Sequence, residues 1–213
     1  KYLLIDMNPE NLEKKTFKNI LKANIRPLAI LFTILILAGA FFLWLDYNNK
    51  NKRIKISENF IEAKVLLANN NYNGSLQILN NIVREKDRIY SPLSLFLIID
   101  KNLEKDKKTI LKHFDTVLSI GGLEKEDLNL IRLKKTIFIS DFSEEQSVLD
   151  LLNPIINSNS VWKIQSLKFL GDYYFSLKQF KKAEQYYSVI LKEKDLNVDT
   201  SEIKRKMKLI QNG

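Results

Sequence analysis

The chain has 213 residues, 34 Lys and Arg against 25 Asp and Glu, and no cysteine. The lack of thiols excludes disulfides, thiolate nucleophiles and cysteine zinc sites without fixing a compartment. The net charge of +9 is spread along the chain apart from Lys204-Arg205-Lys206-Met207-Lys208; a nucleic-acid surface needs a concentrated basic stripe interleaved with aromatics, so no nucleic-acid partner is expected.

Residues 1–26 read as a short tail. Within it Asn11 to Lys22 places Leu12, Phe17, Ile20 and Leu21 near one helical face, with lysines elsewhere. That pattern fits a helix lying on a membrane surface or a partly ordered basic tail. Pro27 to Leu45 then gives nineteen residues without a charge. At ~1.5 Å per residue such a helix nearly spans a ~30 Å hydrocarbon core. Pro27 suits a first helical turn, and Trp44 and Tyr47 sit where an interfacial aromatic belt falls. We take 27–47 as a transmembrane helix, 1–26 as its tail and 48–213 as the domain it carries. Two other readings are a signal peptide cleaved near Ala38-Gly39-Ala40 and a buried core helix. The apolar run continues to Leu45, past that cleavage site, and a helix apolar on every face is seldom hidden in a domain of this size. Five Lys or Arg lie within twenty residues on either side, so the positive-inside rule gives no orientation.

Asp46 to Ile56 is polar, lacks Gly and Pro, and can carry the helix on into Ser57–Asn69. Helical periodicity continues through Gly74–Lys86, Lys108–Ile120, Leu123–Ile139, Val148–Ile156, Ser160–Leu177 and Lys181–Lys192, with a last basic helix to Gln211. Leu93 to Ile99 is almost wholly apolar and reads as a buried helix opened by Ser91-Pro92. Gly121-Gly122 reads as a C-terminal cap pair. Ser143-Glu144-Glu145-Gln146 and Asp199-Thr200-Ser201-Glu202 are capping-box candidates, and Pro154 is expected to kink or shorten its helix. No segment alternates with period two, so the fold class is all-α: seven or eight soluble helices joined into hairpins.

One pair of helices carries a repeat pattern. With Ile164 as the first position of a 34-residue unit, Leu170-Gly171, Tyr174, Ala183 and Tyr187 fall on the Leu-Gly, aromatic, small and aromatic positions of the tetratricopeptide pattern. Gly171 and Ala183 let two backbones approach, and the tyrosines wedge between neighbouring pairs. The match departs at Ile190 and Asp195, and Trp162 is two residues early. A weaker echo places Ala63, Leu66, Ser75 and Leu79 at equivalent positions, and two further degenerate units fit in Ser91–Ile120 and Leu123–Asn157. The expectation is a tetratricopeptide-like α-solenoid of about four hairpins.

A short tail, one transmembrane helix and degenerate tetratricopeptide hairpins together resemble the tetratricopeptide-like ancillary subunit of the bacterial Sec translocon. The resemblance covers the chain from the anchor to Leu191. It implies residence in the inner membrane, a cytoplasmic N-terminus, a periplasmic domain, contact with the SecYEG channel and, through it, with periplasmic chaperones acting on emerging chains. The alternative is a structural accessory subunit or assembly scaffold of another envelope complex.

Sites for chemistry are not evident. His113 lacks the second His or Cys that a zinc site needs and reads as solvated or half-buried. Gly121-Gly122 lacks the Lys-Ser/Thr of a phosphate loop, and no Ser sits in a nucleophile elbow. Asp141, Glu144 and Glu145 read as helix-start electrostatics. No catalysis, cofactor, metal or small-molecule substrate is expected. In tetratricopeptide arrays the first helix of each hairpin lines a groove. Carried onto the matched unit, the partner-binding positions are Gln165, Lys168, Asp172, Phe175 and Ser176, with Lys168 and Asp172 pairing with a partner segment and Phe175 stacking on it.

Overall fold

The computed structural model describes residues 25–193 and 199–212. The amphipathic stretch Asn11–Lys22 lies outside the described residues. Among them the chain is helical without a strand. The helices are α1 (Ile25–Ala68), α2 (Tyr72–Arg84), α3 (Tyr90–Asp100), α4 (Lys107–Leu118), α5 (Lys125–Ile139), α6 (Glu145–Ile156), α7 (Lys163–Ser176), α8 (Phe180–Lys192) and α9 (Ser201–Gln211). Contacts divide the chain into two units between Lys55 and Ile56.

The first unit contains the apolar part of α1. Its large side chains, Ile30 through Phe32, Ile34 through Leu37 and Phe41 through Trp44, are exposed. Thr33, the one hydroxyl in the run, donates to the Ala29 carbonyl at 2.8 Å, so its polar group is satisfied within the helix, as a hydrocarbon environment requires. Phe41 stacks on Trp44 with centroids 6.0 Å apart. By length and composition α1 can cross a membrane. The polar stretch after it is helical too, and Asp46 and Lys50 pair one turn apart at 2.7 Å.

In the second unit each helix from α2 to α9 packs on its sequence neighbour, most extensively α7 on α8 and then α2 on α3. The strength of the α2–α3 contact differs from the expected grouping of α3 with α4 alone. Two clusters of buried side chains run through it, one spanning α1 to α5 around Leu79, Leu95, Ile98 and Phe114, the other spanning α5 to α9 around Leu152, Leu170, Tyr174 and Tyr187; Phe138 packs against both. Four helices are followed by a residue of positive φ: Asn70, Lys86, Asn102 and Lys178. After Asn70, Asn102 and Lys178 the next N–H reaches back to a carbonyl of the last turn: Asn71 to Leu66, Leu103 to Ile98, Gln179 to Tyr174. This is the Schellman arrangement, which satisfies carbonyls the helix leaves open.

Side-chain contacts between alternate helices recur at nearly one sequence interval. Tyr90 Oη donates to Ser57 Oγ, 33 residues back, and His113 Nε2 lies 2.8 Å from Asn80 Oδ1, also 33 back. Lys134 pairs with Asp100, Ser160 donates to Glu126, and Lys168 pairs with Glu202, each 34 apart. Lys206 pairs with Asp172 across the same interval. These contacts join α1 to α3, α2 to α4, α3 to α5 and α7 to α9, and tie the turn before α7 to α5.

Several cap readings are corrected. Asp87, not Ser91, caps α3: its carboxylate accepts from the N–H groups of Ile89 and Tyr90 at 2.9 and 2.8 Å. Ser91 is buried and donates to the Ile82 carbonyl at 2.7 Å. The helix therefore starts before Pro92, which sits in its first turn. Glu144 is the N-cap of α6 without a side-chain bond, so no capping box forms there. At α9 the capping carboxylate is Asp199, on the N–H and Oγ of Ser201, while Glu202 turns to lysines. α6 continues to Ile156, two residues past Pro154.

Candidate functional site

The best-matched hairpin places its residues as follows. Leu170, Gly171, Tyr174, Ala183 and Tyr187 are all buried between α7 and α8. Tyr187 lies over Gly171, where a Cβ would sit 2.6 Å from its Cδ1. The Tyr187 hydroxyl donates to Asp172 Oδ1 at 2.6 Å, and the Tyr174 hydroxyl to Glu145 Oε1 at 2.9 Å. Burial, then these bonds to carboxylates, push both phenols well above the usual tyrosine range. Tyr186 stacks flat on Tyr174 with centroids 5.6 Å apart. Lys182 pairs with Glu145 at 2.7 Å and lies over the Tyr174 ring. Glu145 thus ties α6 to the hairpin, and the Lys182 and Tyr174 bonds hold its carboxyl below its usual range.

The five expected partner positions do not form an open surface together. Gln165 and Ser176 are exposed, and Ser176 donates to the Tyr173 carbonyl of its own helix. Lys168, Asp172 and Phe175 are half-buried and are engaged by the chain's own last helix. Lys168 Nζ is 2.8 Å from Asp172 and 3.0 Å from Glu202; Lys206 Nζ is 2.7 Å from Asp172 and 2.8 Å from Glu202, and lies over the Phe175 ring. Burial alone raises the Asp172 pKa, but the bonds from Lys168, Lys206 and Tyr187 outweigh it and leave the carboxyl below its usual range. Burial likewise opposes the charge on both lysines, and bonds to Asp172 and Glu202 overcome it. Beneath this network Ile203 is buried, with Met207 and Ile210 packed beside it. The pairing expected of a partner segment is made by α9.

An open surface lies two hairpins earlier. Leu93–Ile99 is not wholly buried. Leu95 and Ile98 are inside, Phe96, Leu97 and Ile99 are half-buried, and Leu93 is 44% exposed. Leu93, Ile89 and Phe96 form one wall of a groove and Leu130 and Ile137 of α5 the other. The groove has two hollows of about 240 and 390 Å³ that share Phe96. Lys134 spans it, 3.6 Å from Asp100 and over the Phe96 ring. Lys107 lies 4.0 Å over the Phe142 ring, and Arg88 donates to the Gly121 carbonyl at 3.0 Å. The signal in the sequence was the run itself: α3 carries more apolar residues than one face can bury.

His113 is buried on α4 against Asn80. Desolvation, reinforced by Arg84, lowers its pKa. Among the described residues no group of three His, Asp or Glu side chains could hold a metal ion. A denser polar network joins Glu126, Asn129, Ser160 and Trp162. Glu126 accepts from Ser160 Oγ and Val161 N, its carbonyl accepts from the Trp162 indole at 3.0 Å, and Asn129 donates to Ser160. Every partner is in the chain, and the network pins the start of α7 to α5.

No protein-family model matches the sequence, and no curated protein or solved structure matches it.

Proposed function

We propose that this chain is a single-pass membrane protein whose helical unit is a tetratricopeptide-like solenoid that binds other proteins and performs no catalysis. The observation that carries the reading is the recurrence of side-chain contacts between alternate helices at 33 to 34 residues, at Tyr90–Ser57, Lys134–Asp100, Ser160–Glu126 and Lys168–Glu202. That interval is the length of one tetratricopeptide hairpin. Two of these contacts, Tyr90–Ser57 and Lys134–Asp100, lie outside the stretch that carries the sequence pattern, so they support the repeat independently of it. The exposed apolar run of α1, with its one hydroxyl bonded internally, supports the anchor. Tethering raises the effective concentration of a weak binder near its target, so modest affinity suffices.

The resemblance to the Sec ancillary subunit extends the proposal: an inner-membrane protein with its N-terminus in the cytoplasm and its helical unit in the periplasm, beside SecYEG and periplasmic chaperones. The test is photocrosslinking in native bacterial membranes from Leu93, Ile137 and Gln165, all exposed. Adducts with channel subunits or chaperones are expected. Adducts confined to unrelated envelope proteins would remove the translocon assignment, and an absence of protein adducts at all three positions would remove the binding reading. Protease digestion of sealed inside-out vesicles should spare the helical unit; its digestion there would reverse the orientation.

A further inference from the structure

α9 is held differently from the helices before it. Each of α2 to α8 buries at least three side chains, whereas α9 buries Ile203 alone, with Met207 and Ile210 half-buried beside it. The rest of its hold is electrostatic: Glu202 pairs with Lys168, Lys206 pairs with Asp172, and Lys206 lies over the Phe175 ring. The four charged side chains are 17% to 45% exposed, and ion pairs so open to water contribute little. A helix with few buried apolar contacts belongs to the low-stability end of a fold.

The surface beneath α9 is positioned by groups outside α9. Lys168 pairs with Asp172 one turn along α7 at 2.8 Å, and the Tyr187 hydroxyl of α8 donates to the same carboxylate at 2.6 Å. Phe175 rests against Phe180 of α8, edge to face, with centroids 5.6 Å apart. α9 has an internal tie of its own, Glu202 to Lys206 at 2.8 Å. Each face is thus organised by bonds that do not cross the contact, as in a receptor and a ligand that lose little freedom on binding.

The contact also defines a recognition pattern. Ile203, Met207 and Ile210 stand at i, i+4 and i+7 on one helical face. Glu202 precedes the first of them and Lys206 the second. Glu202 meets Lys168 and Lys206 meets Asp172, so α9 runs parallel to α7. A helix with the opposite charge order would set Lys on Lys168 and Glu on Asp172, and such repulsion selects against it.

We propose that the α7 face is a helix-binding site that α9 occupies in cis, and that an amphipathic helix of a partner protein with the α9 pattern (Glu-Φ-x-x-Lys-Φ-x-x-Φ, where Φ is apolar) takes its place. The inference rests on the protein-binding reading above and names both the chemistry of the partner segment and the contact that regulates access. Access is set by the fraction of chains with α9 undocked, and the apparent affinity for the partner helix falls with that fraction.

The test uses the full chain in lipid nanodiscs and two fluorescein-labelled helical peptides on an Ala/Gln background, both with Ile at i, i+4 and i+7. One has Glu at i−1 and Lys at i+3; the other has the reverse order, so their net charges are equal. Ile203→Asp removes the buried anchor of α9. Anisotropy titration at low salt should show the Glu/Lys peptide binding this variant about tenfold or more tightly than the wild-type chain. It should bind the variant about fivefold more tightly than the reversed peptide does. Adding Lys168→Glu to Ile203→Asp should abolish that preference. In the wild-type chain, saturating Glu/Lys peptide should speed amide exchange in α9, a readout that stands if circular dichroism shows Ile203→Asp to be unfolded. Equal affinity for wild type and a folded Ile203→Asp chain overturns the inference. So does the absence of a preference between the peptides, or a preference that survives Lys168→Glu. Wild-type binding that leaves α9 exchange unchanged also overturns it, as does failure of the Glu/Lys peptide to bind either chain. Crosslinking from Leu93 and Ile137 is independent of α9 and decides the protein-binding reading separately.

Discussion

The Tyr187 ring occupies the space a side chain at residue 171 would need: a Cβ on Gly171 comes 2.6 Å from Cδ1 and closer still to Cε1. The absence of that one carbon brings α7 and α8 together and buries Tyr187 completely. Gly171→Ala gains about 1 kcal/mol of helix propensity but must displace a ring held by Asp172. Overpacking of this kind costs about 1–3 kcal/mol, and the fixed ring puts the site at the upper end. Gly171→Ala should therefore destabilise the helical unit by about 1–2 kcal/mol in chemical denaturation. Combined with Tyr187→Leu it should cost less than the sum of the two single changes, because the clash disappears with the ring. Strict additivity would mean that the two residues do not set the helix approach.

The docking of α9 depends on an alternating square of charges: Lys168, Asp172, Lys206 and Glu202. Asp172 is its centre, accepting from two lysines and from Tyr187. Asp172→Asn keeps the shape and removes the charge, and should cost about 1–2 kcal/mol. The loss should appear first as faster amide exchange in α9. The carboxyls of Asp172 and Glu202 are both held below their unfolded values. Their contribution is complete above about pH 4.5 and declines as pH falls through the lower folded values. Acid should thus loosen α9 in wild type, and loosen it less, relative to neutral pH, in Asp172→Asn. Unchanged exchange in α9 would show that Ile203, Met207 and Ile210 hold it alone.

Helix positions were legible in the sequence because they depend on apolar periodicity, a local property repeated over many residues. α7 and α8 were legible in detail, since Gly171 and Ala183 encode close approach in residue size. Cap chemistry was less so: a carboxylate four residues before Ser91 starts the helix one turn earlier by accepting from the N–H groups of Ile89 and Tyr90, and Asp87 supplied it. The exposure of the first-helix positions was illegible for a different reason. Whether Lys168 and Asp172 face solvent depends on where α9 docks, some thirty residues on, and no local pattern carries that. Trp162 read as a misplaced repeat tryptophan; its indole instead meets the Glu126 carbonyl one hairpin earlier.

Among the described residues the buried hydroxyl of Ser166 on α7 has no hydrogen-bond partner, and neither have those of Ser75 and Ser94. A buried hydroxyl loses its bonds to water without replacement. Ser166→Ala removes that loss and favours the helix by several tenths of a kcal/mol. The variant should be more stable than wild type by about 1 kcal/mol, read as a higher denaturant midpoint with an unchanged slope. Destabilisation would mean that the hydroxyl has a bonding role.

His113 makes stability depend on pH in a direction that Asn80 can reverse. Its folded pKa lies below the ordinary histidine value, first from desolvation and then from Arg84 and Lys112, with Glu104 opposing. Above about pH 6.5 the ring is neutral in both folded and unfolded chains, and its contribution is complete. As pH falls below that value the unfolded chain takes up the proton first. Stability should then decline by up to about 1.4 kcal/mol per pH unit until the folded pKa is reached. His113→Gln should flatten this decline while leaving an amide to meet Asn80. Asn80→Asp places a carboxylate at the acceptor 2.8 Å from Nε2 and should raise the folded pKa above the unfolded one. The histidine contribution is then present below about pH 6.5 and is lost as pH rises through the folded value. Denaturation midpoints between pH 5 and 8 distinguish the three chains. If His113→Gln keeps the wild-type profile, the decline arises elsewhere and the buried ring is not its source.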